Sequence, residues 1–102
     1  MFEQIEKDLD YIINNKLIRT IFQPIISLRD GSIFGHEALS RIICQSSISN
    51  PDELFAAAEK YNRLWQLEQL CRTKALEAAF VLMIPPYSKK LFINVNPQII
   101  TV

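Results

Sequence analysis

The sequence predicts an α/β domain, and three observations carry that reading. Two apolar runs meet at Asp30-Gly31, a long helical stretch follows, and a short apolar strand runs from Leu91 to Asn96. Asp-Gly between apolar runs marks a hairpin, because glycine accepts the positive φ that a tight turn needs. A strand, a helical crossover and a further strand make a right-handed βαβ unit with its strands parallel. The expected order is helix, β-hairpin, helices, β-strand.

Each element has its own signal. Phe2, Ile5, Leu9 and Ile12/Ile13 recur at three- and four-residue spacing between charged residues, the pattern of an amphipathic helix ending near Asn14-Asn15. The first strand is expected over Thr20 to Leu28. Pro24 within it has no amide to donate, which places the strand at an edge or a bulge. The second strand is expected over Ser32 to Leu39, with Ile33, Gly35, Glu37 and Leu39 on one face and Phe34, His36 and Ala38 on the other. Asn50-Pro51-Asp52-Glu53 is a helix start: Asn50 caps, Pro51 suits the first helical position, and Glu53 reaches back as in a capping box. That helix breaks near Tyr61-Asn62. The next keeps Leu64, Leu67, Cys71, Ala75 and Ala78/Ala79 in phase until Pro85-Pro86 stops it. In the last strand Phe92, Asn94 and Asn96 share one face, and Leu91, Ile93 and Val95 the other. The chain ends soon after that strand, so the sequence reads as the opening portion of a larger α/β domain.

The 102 residues suit one small domain and are too few for two. Eleven basic residues balance eleven acidic ones, which speaks against a nucleic-acid polymer or a membrane surface as partner. No apolar run approaches the roughly 20 residues of a membrane span, and the acidic N-terminus lacks the order of a signal peptide. Cys44 and Cys71 stand far apart without a Cys-x-x-Cys pattern, so free thiols in a cytoplasmic protein are expected.

Two polar residues stand near the ends of their strands, Glu37 and Asn94. In barrel-type α/β folds the C-terminal strand ends gather ligand and catalytic groups. A carboxylate oxygen and an amide oxygen are hard ligands, suited to Mg²⁺ or Mn²⁺. The plainer alternative pairs Glu37 with Arg41 or leaves it at a solvated rim, with Asn94 capping a turn. His36 is turned to the face opposite Glu37, where contact with a covering helix is favoured over ligation. Trp65 and Tyr61 are expected to pack rather than stack on a base, and Lys89-Lys90 reads as a solvated turn.

Gln23-Pro24-Ile25, Asp30-Gly31 and Gly35-His36-Glu37-Ala38-Leu39-Ser40-Arg41 closely resemble the opening of the EAL domain family, which is named for the motif seen here as Glu37-Ala38-Leu39. Asn50-Pro51-Asp52-Glu53-Leu54-Phe55 resembles the family's next helix start, and Ile93-Asn94-Val95-Asn96-Pro97 its Asn-Val-Ser-Pro strand. The blocks come in family order and span nearly the whole chain. The resemblance implies a bacterial signal-transduction domain, a cyclic di-GMP phosphodiesterase built as a variant TIM (β/α)₈ barrel whose first strand runs antiparallel to the rest. It implies Glu37 and Asn94 as metal ligands for Mg²⁺ or Mn²⁺, Gln23 and Arg41 as contacts to the dinucleotide, and Leu39 as lining of its site. The implied reaction is metal-assisted hydrolysis of one phosphodiester bond, giving linear pGpG.

Asn96 departs from the family's usual Ser or Thr. The family's further metal carboxylates, its conserved lysine and its late glutamate would lie beyond Val102. Residues 1–102 are therefore expected to form a single partial EAL domain with no complete catalytic site, inactive alone and a weak metal binder. The alternative is a degenerate module that senses cyclic di-GMP, or binds a protein, without catalysis. Open strand edges predict a homo-oligomer.

Overall fold

The computed structural model describes residues 2–80 and 90–93. Helix α1 (Phe2–Asn14) leads into strands β1 (Ile18–Ile26) and β2 (Ile33–Ile42); helices α2 (Pro51–Lys60) and α3 (Leu64–Ala79) follow, and strand β3 (Lys90–Ile93) comes last. The sheet order is β1-β2-β3, with β1 antiparallel and β3 parallel to β2. The expected α/β order holds, antiparallel first strand included.

The helices end where the backbone is made to turn. Leu17 N donates to Ile12 O at 2.9 Å and Lys16 N to Ile13 O at 3.2 Å, with Lys16 at φ 55°. Arg63 N donates to Ala58 O at 2.7 Å and Asn62 N to Glu59 O at 3.4 Å, with Asn62 at φ 59°. Both are Schellman closures, which glycine fills most easily. Asparagine tolerates the left-handed region, whereas lysine has no local bond to offset it. Lys16→Gly is therefore expected to stabilise the fold by about 0.5–1 kcal/mol in chemical denaturation. The start of α2 follows the sequence reading closely. Asn50 Oδ1 accepts from Glu53 N at 2.9 Å. The Glu53 carboxylate reaches one residue past a capping box, accepting from Ser49 N at 2.8 Å and Ser49 Oγ at 2.6 Å.

The core lies among the helices at one end of the sheet. Leu9 and Ile12 of α1, Ile18 of β1, Leu54 of α2 and Leu67 of α3 are fully buried, and Ile48 plugs the same cluster from its loop. Small residues let α3 lie close on the sheet: Ala75 and Ala79 are buried on the helix, as is Ala38 on β2. Cys71, beside them, shares a hydrogen bond with Ser40, and burial pushes its thiol above the usual value. Both cysteines are free. Glu68, one turn away on α3, is only 5% exposed.

Two polar ties hold α1 in place. Arg63 reaches Asp10 at 3.0 Å and Glu6 at 3.4 Å and also donates to Tyr61 O, joining α1 to the α2–α3 junction. Each ion pair is about a third exposed and contributes at most about 1 kcal/mol. Asp8 accepts from Ser47 Oγ at 2.6 Å and Ser47 N at 2.8 Å, fastening the loop before α2. These bonds hold the Asp8 carboxyl below its ordinary 3.8, the Ser47 hydroxyl contributing most. A carboxyl lowered by folding stabilises the fold above its unfolded value, and that support fades as pH falls through the folded one. Acidification below about pH 4 should therefore loosen this loop, read as faster amide exchange at Ser47, and Asp8→Asn should remove the pH dependence.

Some details differ from expectation. Strand β1 begins and ends two residues earlier than Thr20–Leu28, and β2 continues to Ile42 because Ile18, Arg19 and Thr20 extend the ladder opposite Ser40, Arg41 and Ile42. The hairpin turn is wider than Asp30-Gly31 alone: Ser27 N bonds Ser32 O at 2.8 Å and Gly31 N bonds Ser27 O at 2.9 Å, with Gly31 at φ 75°. A register shift after Ile25 leaves Phe34 without an opposite residue, so it departs from the face of His36 and Ala38 and stacks on Phe92, ring centroids 6.0 Å apart. Trp65 does not pack. Next to the half-buried Leu64 and two residues before the buried Leu67, it falls on the outer side of α3 and is 58% exposed.

Candidate functional site

Strand register decides which side chains share a face. Across β1 and β2, Gln23 lies opposite Glu37, Ile21 opposite Leu39, Arg19 opposite Arg41 and Ile25 opposite Gly35. From β3, Phe92 lies beside Glu37 and Lys90 beside Gly35. Residues directly opposite across a ladder point the same way, so these ten form one face. The other face carries Ile18, Ile42 and Ala38, which are buried or packed against the helical core.

Four of the five sequence-predicted site residues, Gln23, Glu37, Leu39 and Arg41, thus come together on the open face. Asn94 lies outside the described residues. Glu37 is at mid-strand rather than near the end expected of it, because β2 runs on to Ile42; Arg41 holds the end. Among the described residues Glu37 has no ion-pair partner. Arg41 instead donates from Nη1 to Ser40 O at 2.9 Å, so the plain pairing of Glu37 with Arg41 does not form. An ionised carboxylate that is half-buried without a cation is costly, and a ligand cation would relieve it.

The floor beside this row is aromatic. Phe92 and Phe34 stack, and Lys90 Nζ sits 4.6 Å from the centre of the Phe34 ring. Gly35 makes this close approach possible. A Cβ there would stand 2.7 Å from Lys90 O and 3.0 Å from Phe92 Cε2. His36 lies on the helix-side face, as expected, with a buried Nδ1 that has no hydrogen-bond partner among the described residues.

The donors on the open face suit a hard divalent ion in kind, a carboxylate with an amide opposite, but not in number. No group of three or more His, Cys, Asp or Glu side chains converges among the described residues. One carboxylate does not hold Mg²⁺ or Mn²⁺ unaided. Sequence reasoning missed Arg19, whose place opposite Arg41 depends on register, and the aromatic floor, which depends on the bulge at Phe34.

An antiparallel strand leading into a parallel β-α-β arrangement, with Gln23, Glu37 and Arg41 on the face away from the helices, defines the class: a segment of TIM-barrel-like α/β architecture. The family is shown directly, since the EAL domain model matches residues 6–101. The chain belongs to the EAL domain family, the family of cyclic di-GMP phosphodiesterases. Comparison with the curated proteins and with the solved structures gave no match. Among the described residues no helix is long and apolar enough to cross a membrane.

Proposed function

We propose that the open face binds cyclic di-GMP and belongs to a site that hydrolyses it to linear pGpG in bacterial signal transduction, in the cytoplasm. The single observation carrying this is the juxtaposition of Gln23, Glu37, Leu39 and Arg41 on one face, with Glu37 lacking a cation partner among the described residues. Arg41 offers a fork of donors that matches a phosphate in two parallel hydrogen bonds. Gln23 supplies amide donors and an acceptor in the row of Glu37, and Leu39 gives the apolar contact between that row and Arg41. Glu37, with Asn94, would be ligands to a divalent ion. Such an ion, when bound, lowers the pKa of its water and neutralises phosphoryl charge.

One carboxylate on the described face argues that residues 1–102 bind rather than hydrolyse: a single partial EAL domain, inactive alone. The experiment is incubation with cyclic di-GMP and Mg²⁺ or Mn²⁺, followed by chromatography for pGpG. A complete EAL barrel carrying these residues should release it, and the 102-residue chain should not. Release by the chain itself would overturn the inactive reading. Lack of release by the complete barrel would favour the degenerate sensor.

The same reading has the chain self-associate. Strand β1 is the outer strand of the sheet among the described residues, and Pro24 blocks only one position along it. Light scattering should give a mass of twice the chain or more at high concentration; a monomer throughout would contradict self-association.

A further inference from the structure

Arg19 and Arg41 are directly opposite each other across the β1–β2 ladder, at the end of the sheet where β1 begins and β2 finishes. Like charges in that position repel, and sheets disfavour them. Among the described residues neither guanidinium has a carboxylate partner: both ion pairs found there belong to Arg63, and Arg41 is bonded only to the Ser40 carbonyl. Arg19 is exposed and Arg41 half-buried, so one of the two cations is drawn into the sheet beside its own repulsion. The arrangement costs stability in the free chain and becomes favourable once an anion lies between the forks.

We propose that Arg19 and Arg41 form a two-guanidinium clamp for one phosphate group of the ligand, with Arg19 a binding residue on the outer strand β1. This rests on the reading of the face as a nucleotide site and deepens it. Arg41 lies four residues beyond Glu37 on the same strand and the same face, about 13 Å away along β2. A ligand that touches both ends must therefore be longer than a single phosphate, and a dinucleotide meets that requirement. Two planar forks on neighbouring strands can each donate a pair of hydrogen bonds to separate oxygens of one phosphate, which a lysine cannot do. Leu39 and Ile21, the row between the clamp and Glu37, give the apolar surface over which the ligand runs.

The test is NMR of the side-chain Nε–Hε signals of the 102-residue chain, titrated separately with inorganic pyrophosphate and with cyclic di-GMP. Arg19 and Arg41 should shift together with one dissociation constant. Arg19→Ala should weaken pyrophosphate binding about tenfold, the loss expected of a hydrogen bond to a charged group, and Arg19→Lys should recover only part of it. Arg19→Glu should abolish anion binding while raising the melting temperature in anion-free buffer, an outcome that structural damage would not produce. Pyrophosphate bound by both arginines while cyclic di-GMP is refused would uphold the clamp and sink the nucleotide reading. Movement of Arg41 alone, wild-type affinity in Arg19→Ala, or no binding of either probe would overturn the clamp.

Discussion

Replacing Gly35 with alanine is expected to detach β3 from β2. The added Cβ would meet the Lys90 carbonyl oxygen at 2.7 Å, well inside contact distance, and that oxygen belongs to the backbone. The second obstacle, the Phe92 ring at 3.0 Å, could rotate only by giving up its stack on Phe34. The strand must therefore shift, breaking a ladder that pairs Gly35 with Lys90 and Glu37 with Phe92. Overpacking of this kind costs about 1–3 kcal/mol, a large share of the stability of a small domain. Chemical denaturation should show that loss, and amide exchange should show protection vanishing first at Leu91 and Ile93. Gly31→Ala is the informative comparison. A Cβ there meets nothing within 4 Å, so only its φ of 75° is strained, costing about 1 kcal/mol without touching β3.

Glu37→Gln should separate function from stability. The amide keeps the shape of the side chain and removes a half-buried charge that has no cation partner among the described residues. The fold should be unchanged or firmer, by up to about 1 kcal/mol, because an unpaired charge no longer has to be kept solvated. Affinity for Mn²⁺, measured on a complete barrel carrying the substitution, should fall more than about a hundredfold, since removal of a ligand exceeds the loss seen when its supporting partners go. Hydrolysis should fall with it. A variant that loses stability and keeps metal affinity would show that Glu37 is a structural residue.

Much of this was legible in the sequence. Asn50-Pro51 gave the start of α2 to the residue, because the cap and the proline act locally. The apolar phase of α1 and α3 named Leu9, Ile12, Leu67, Cys71, Ala75 and Ala79, all of them buried, since a helix face follows from spacing alone. The grouping of Gln23, Glu37, Leu39 and Arg41 on one face needed the pairing between strands as well, and the resemblance supplied what spacing did not. Non-local facts stayed hidden. The turn from Phe34 toward Phe92 comes from one extra residue on β2, which shifts register without changing the local pattern. Arg19 looked like any charged residue before an apolar run; only the ladder sets it against Arg41. The tie from Asp8 to Ser47 joins residues 39 apart, and nothing in either neighbourhood announces it.

We propose that one face of this sheet receives a cyclic dinucleotide. Backbone amide chemical-shift mapping with cyclic di-GMP and Mg²⁺, at millimolar ligand, tests it most directly. Shifts should concentrate at Gln23, Glu37, Leu39 and Arg41 and extend to Arg19, and be weak at His36, Ala38 and the core residues Leu9, Leu54 and Leu67. Shifts centred on the helix-covered face, or none at saturating ligand, would contradict it.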